Sequence, residues 1–300
     1  LANHPLVSRL VLAPRAQGFR LATARAAFRL LRAEAYEVAL EAQGTWKSAV
    51  WARVSGASRL VGHAAPWRRE PFSGLLIREP VDVPEDAHHV IDKNLSLLRV
   101  LGIDAMGSRE FPLPPTDAQA IFAQAQLKAL GLDDFALLNP GGAWASKLWS
   151  AHGYGEVARG LKDRGLRCLV SWGPGEERLA ERVVAASEGA AVGCPPTTLL
   201  EFIEIARRAR VVVGADTGPL HLACALGVPV VGIYGPTDPA RNGPFDPRDV
   251  VVRRTPLCSP CHKRRCRIHD GVMGAITPAD VIRAIERRLA LAAGHKSVAV

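Results

Sequence analysis

The chain has 300 residues, 48% of them hydrophobic and 22% charged, a globular composition with room for two domains of ordinary size. Its apolar runs fall far short of a membrane span. The first ten residues carry His4, Pro5 and Arg9 where a secretory leader would be apolar. The net charge of +9, spread over both halves, suits an acidic partner and fits equally a well-solvated surface. Cys168, Cys194 and Cys224 sit among apolar residues, as reduced packing thiols of a cytoplasmic protein do.

In chain order, Arg9 to Ala13 reads as a strand, Leu21 to Arg32 as a helix and Glu37 to Leu40 as a second strand. A helix from Lys47 to Val54 and a short strand from Ser58 to Gly62 follow. Residues 63–83 are loop-rich, and Asp86 to Leu101 has helical spacing of Leu95, Leu98 and Leu101. Phe111 to Thr116, with three prolines, reads as a linker, and Asp117 to Leu130 as a helix. The domain boundary is expected near there, giving domains 1–130 and 131–300. Beyond it come strand Phe135 to Leu138, helix Gly153 to Arg164, strand Arg167 to Ser171 and a helix ending at Ser187. Helix Thr198 to Ala209, strand Val211 to Val213, helix His221 to Leu226, strand Val230 to Tyr234 and a last helix from Thr277 complete the pattern. Strand and helix in alternation predict an α/β fold with parallel sheets, whose ligands sit beyond the carboxyl ends of the strands.

The loops after strands are therefore the candidate sites. In the run Gly214-Ala215-Asp216-Thr217-Gly218-Pro219-Leu220-His221, a buried strand leads into a small-residue turn and a helix start. Free N–H groups there attract phosphate, Gly218 allows close approach, and Thr217 and His221 add donors. Asp216 at the strand end can accept from sugar hydroxyls. Taken alone, Asp216 or Thr217 could equally be a plain helix cap. Asn139-Pro140-Gly141-Gly142-Ala143 also follows a strand and leads to Lys147, a mobile charge suited to phosphate. Gly235-Pro236-Thr237 follows a third. The chain has no phosphate loop of the G-x-x-x-x-G-K-[ST] type and no G-x-G-x-x-G fingerprint.

These residues resemble a known family. Gly214 to Ala223, then Gly227-Val228-Pro229 and Tyr234-Gly235-Pro236-Thr237, are similar to the donor motif of the ADP-heptose:lipopolysaccharide heptosyltransferases, glycosyltransferase family 9. Asn139-Pro140-Gly141 with Lys147 and Trp149 looks like its other donor loop. Glu41-Ala42-Gln43-Gly44 with Lys47-Ser48-Ala49 resembles its Asp-x-Gln-Gly segment. Arg69-Glu70-Pro71 and His88-His89-Val90 are similar to its heptosyltransferase I branch. The resemblance implies the glycosyltransferase B fold, two Rossmann-like domains with the acceptor on the first and the donor on the second. It implies inverting transfer of heptose from ADP-heptose to the Kdo-bearing inner core of lipopolysaccharide, by an enzyme at the inner face of the inner membrane, with no cofactor. Gly142, Ala143, Lys147, Asp216, Thr217, Gly218 and His221 would bind the donor, Asp216 through the heptose hydroxyls. Gln43 and Lys47 would face the acceptor, a Kdo-lipid A type molecule. The family's catalytic base, on a Gly-Asp loop, would fall before Leu1, so the first domain is expected to be incomplete and turnover slow.

Cys258, Cys261 and Cys266, with His262 or His269, could fill a tetrahedral zinc site. The expectation is instead a loop of reduced thiols among arginines, with no metal and no nucleic-acid partner. Another sugar-nucleotide transferase or epimerase of the same fold, or a non-catalytic nucleotide-sugar-binding remnant, are the alternatives.

Overall fold

The computed structural model describes residues 4–13, 21–266 and 271–296. The chain forms two compact units, Leu1–Ser108 and Arg109–Val300. The division falls before the boundary expected near residue 130, because the linker and the helix after it belong to the second unit. Phe111 stacks on Phe245 at 5.1 Å, and Arg207 donates to the Leu113 carbonyl.

The first unit contains α1 (Leu21–Ala33), β1 (Val38–Glu41), α2 (Trp46–Val54), β2 (Arg59–His63), β3 (Glu79–Val81) and α3 (Val90–Leu95). Its three strands pair in parallel in the order β1-β2-β3. Residues 9–13 are not a strand, contrary to expectation. A parallel strand exists only through a neighbour's ladder, and none of the three strands pairs with this segment among the described residues. β3 lies inside the stretch expected to be loop. Its Pro80 is tolerated because β3 is an edge strand. The helix expected over residues 86–101 is α3 followed by a 3₁₀ stretch, Ser96–Leu101.

The second unit contains α4 (Asp117–Ala129), β4 (Phe135–Asn139), α5 (Ala151–Lys162), β5 (Arg167–Val170), α6 (Glu177–Ala186), β6 (Ala191–Gly193) and α7 (Leu199–Ala206). It continues with β7 (Val211–Ala215), α8 (Gly218–Ala225), β8 (Val230–Tyr234), α9 (Pro239–Asn242), β9 (Val250–Arg253) and α10 (Pro278–Lys296). All six strands are parallel, in the order β6-β5-β4-β7-β8-β9. β4, β7 and β8 are buried throughout, which is why they read as unbroken apolar runs. Alternate residues serve opposite faces. Ala136, Leu138, Val211 and Val213 pack with α5, α6 and α10, while Phe135, Leu137 and Val212 pack with α4, α7 and α8. Ser150 caps α5, and a reciprocal Thr198–Glu201 pair caps α7.

This strand order reverses direction between β4 and β7. At such a switch point neighbouring loops run to opposite faces and leave a crevice beyond the strand ends. The loops expected to carry the donor follow these two strands.

Candidate donor-binding site

The loop after β4 is shaped by a carboxylate from the next strand's loop. Glu176 accepts from the Gly142 N–H at 2.8 Å and from the Gly173 N–H at 3.0 Å. A Cβ at Gly141 would lie 2.1 Å from that carboxylate, so the close approach requires glycine. The loop then makes a 3₁₀ turn, Ala145–Lys147, that carries Lys147 across the switch point.

Lys147 Nζ donates to Asp216 Oδ2 at 2.6 Å and to the Asp216 carbonyl at 3.0 Å. Asp216 Oδ1 lies 3.0 Å from His221 Nε2 and accepts from Asn242 Nδ2 at 2.6 Å. Asp216 is only 4% exposed. Burial acts to raise its carboxyl, but hydrogen bonds from His221 and Lys147, with the Lys147 charge, outweigh it and hold the group well below the usual carboxylate range. Asp216 is thus the hub that fixes a lysine and a histidine at one cavity wall. Thr217, at the N-cap of α8, donates to the Ala215 carbonyl instead of capping the helix, so the N–H groups of the first turn keep no side-chain partner.

A cavity of about 360 Å³ is lined by Ala143, Trp144, Lys147, Asp216, Thr217, Gly218, His221 and Asn242. Six of the seven residues expected at the donor line it, and Gly142 lies directly behind, where an added Cβ would be 3.2 Å from Thr217. Thr237 is buried and does not line the cavity. Sequence reasoning missed Glu176, Trp144 and Asn242. Glu176 follows Gly173-Pro174-Gly175, a run whose composition marks a turn but gives no sign of where the next carboxylate points. A neighbouring cavity of about 460 Å³, lined by Trp149, His152, Glu156, Met273 and Thr277 among others, contains no lysine or arginine.

In the first unit, Gln43 and Lys47 are exposed, on the loop after β1 and the first turn of α2. Glu41, 2% exposed, holds that loop. Its carboxylate accepts from the Gln43 N–H at 3.0 Å, the Gly44 N–H at 2.9 Å and Ser48 Oγ at 2.6 Å. With both oxygens so engaged, Glu41 clasps the loop that follows β1. The loop in turn meets the segment after β2, where Glu70 donates its N–H to the Gly44 carbonyl and accepts from the Trp46 N–H.

Cys258 is exposed and Cys261 and Cys266 half-buried, all as free thiols. No cluster of three metal-ligating side chains occurs among the described residues, and His269 lies outside them. No described helix is long and apolar enough to cross a membrane.

Parallel α/β units with a cavity at the switch point have the architecture of the glycosyltransferase B fold. A profile of glycosyltransferase family 9 (heptosyltransferase) matches residues 24–270, most of the chain. The chain belongs to this family. It is 31% identical over 234 residues to lipopolysaccharide heptosyltransferase 1 of Pseudomonas aeruginosa, covering 77% of this chain and 63% of that protein. It is 32% identical over 237 residues to the Escherichia coli protein of the same name, covering 76% of this chain and 70% of that protein. The structure of E. coli heptosyltransferase WaaC with ADP-2-deoxy-2-fluoro heptose superposes with a TM-score of 0.65 at 25% identity, covering 90% of this chain and 79% of that chain.

Proposed function

We propose that this chain transfers heptose from ADP-heptose to the Kdo-bearing inner core of lipopolysaccharide, with inversion at the anomeric carbon. The observation that carries the reading is the Lys147–Asp216–His221 constellation at the start of α8. As the sugar–oxygen bond breaks, negative charge grows on the departing diphosphate. Lys147, His221, the open N–H groups at the start of α8 and the Thr217 hydroxyl, once it turns from the Ala215 carbonyl, are the donors that would stabilise it, without an essential metal. Asp216 Oδ2, bonded by Lys147, keeps a lone pair for a sugar hydroxyl. The acceptor hydroxyl would attack opposite the leaving group, giving its proton to a general base as the bond from the anomeric carbon to the diphosphate breaks and ADP departs, so one displacement inverts the centre.

On the acceptor side, Gln43 and Lys47 would meet an acidic sugar. Phe72 and Leu75, 78% and 79% exposed in one 3₁₀ turn beside Arg69, fit a lipid-bearing acceptor such as Kdo-lipid A at the inner face of the inner membrane. The enzyme would then be cytoplasmic and peripheral, need no cofactor and bind no nucleic acid.

Calorimetry with ADP tests the donor assignment. Saturable binding should weaken about tenfold or more in Lys147→Ala and in His221→Ala, the scale of a lost charge-assisted hydrogen bond. Unchanged affinity in both variants would place the nucleotide elsewhere.

A further inference from the structure

The cysteine–arginine segment takes no part in the mechanism above, yet the structure fastens it to the donor loops. Ser259 Oγ donates to the Gly235 carbonyl at 2.6 Å, and the Cys261 and His262 N–H groups to the Pro236 carbonyl at 3.0 and 2.9 Å. On the other side, the Ser146 N–H donates to the Arg264 carbonyl at 3.2 Å, and Ser146 Oγ to the Lys263 carbonyl at 2.5 Å. Ser146 is buried and immediately precedes Lys147. Residues 259–264 are therefore tied to the loops after both β4 and β8.

This places the Arg264 guanidinium 5.9 Å from the centre of the Trp144 ring. Lys147 Nζ lies 4.6 Å from the same ring centre. Trp144 and Lys147 both line the donor cavity. The two cations differ in one respect. Lys147 is paired with Asp216, whereas Arg264 has no carboxylate partner among the described residues. Among the described residues, these two positive groups on one indole are served by a single carboxylate, and the exposed Arg264 sets its charge in solvent beside the cavity's Trp144 wall. Two cations on one side of the cavity give a positive field that favours an anion there.

We infer that Arg264 is a donor-binding residue whose guanidinium contacts the nucleotide diphosphate beside Lys147. The identity of the ligand rests on the donor reading above; the attraction for an anion rests on the geometry. A planar guanidinium can grip two oxygens of one phosphate, which leaves Lys147 and the start of α8 to serve the other. The backbone bonds at Ser146 hold Arg264 near the cavity before the ligand arrives, so less conformational freedom is lost on binding. The segment rich in cysteine and arginine becomes part of the donor wall, which neither a thiol loop nor a nucleic-acid patch would require.

The test is calorimetry of the full chain with inorganic pyrophosphate, ADP and AMP, comparing the natural protein with Arg264→Gln, Arg264→Lys and Arg265→Gln. Arg265 is an exposed neighbour that matches the change in net charge. Arg264→Gln should lower affinity for pyrophosphate and ADP about tenfold and for AMP less, with Arg264→Lys between and Arg265→Gln within about twofold of the natural chain. Equal ADP binding by the natural chain and Arg264→Gln would overturn this inference and leave the donor reading standing. Equal losses in Arg264→Gln and Arg265→Gln would reduce the effect to bulk charge and overturn it as well. A natural chain that binds neither pyrophosphate nor ADP would remove the donor reading together with the inference.

Discussion

Asp216 shows how one buried carboxylate can organise a binding wall. Its charge is tolerated at 4% exposure because Lys147, His221 and Asn242 all bond it. The sequence placed Asp216 at a strand end and suggested a sugar-hydroxyl ligand. It could not show that both oxygens are already engaged by groups 69 residues upstream and 26 downstream. The lowered carboxyl has a consequence for stability. A group whose folded pKa lies below its unfolded value stabilises fully above the unfolded pKa, about 3.9 for aspartate, and loses that stabilisation as pH falls toward the folded value. The difference in unfolding free energy between the natural chain and Asp216→Asn should therefore not shrink from pH 7 down to about pH 5, and should shrink only below about pH 4. Denaturant titrations at several pH values measure it, and a gap that closes between pH 7 and 5 would contradict the ion-pair account.

At the scale of elements, the central strands β4, β7 and β8 were legible because burial on both faces forces unbroken apolar runs. The edge strands β3, β6 and β9 were not. β3 and β6 have three residues each, β3 contains Pro80, and β9 is only four residues long. Such strands exist through pairing with a neighbour, a tertiary effect that local pattern does not carry. The same limit explains the donor site. Its loops were found because each follows a readable strand, while Glu176 and Asn242 reach it from a turn and from the four-residue helix α9, which have no motif. In the first unit the loop after β1 looked like an acceptor segment, and the position of Glu41 within it became clear only from its bonds. Glu41→Gln keeps one acceptor oxygen but turns an amide donor toward the N–H groups it must receive. It should cost about 1–3 kcal/mol of first-unit stability, read from the denaturant midpoint, and leave ADP affinity unchanged. Unaltered stability would show that the clasp is not what holds the loop.

For the whole molecule, the chain divides into two units with a parallel sheet in each, and the cavity proposed for the donor lies in the second. The sequence suggests a boundary near residue 130, and the compact units meet at Ser108 and Arg109. The three prolines that suggested a linker mark it correctly, yet hydrophobic packing of Phe111 on Phe245 and of α4 against α7 draws the following helix into the second unit. The central claim is that the donor sits where the strand order reverses, between β4 and β7. Hydrogen–deuterium exchange with and without ADP-heptose tests it most directly, because it maps protection along the chain. The account predicts slowed exchange over residues 141–147, 217–221 and 262–265, with the 460 Å³ cavity beside Trp149 and the first unit unchanged. Protection confined to Trp149–Glu156 and Met273–Thr277, or to the first unit, with none over 217–221, would contradict it.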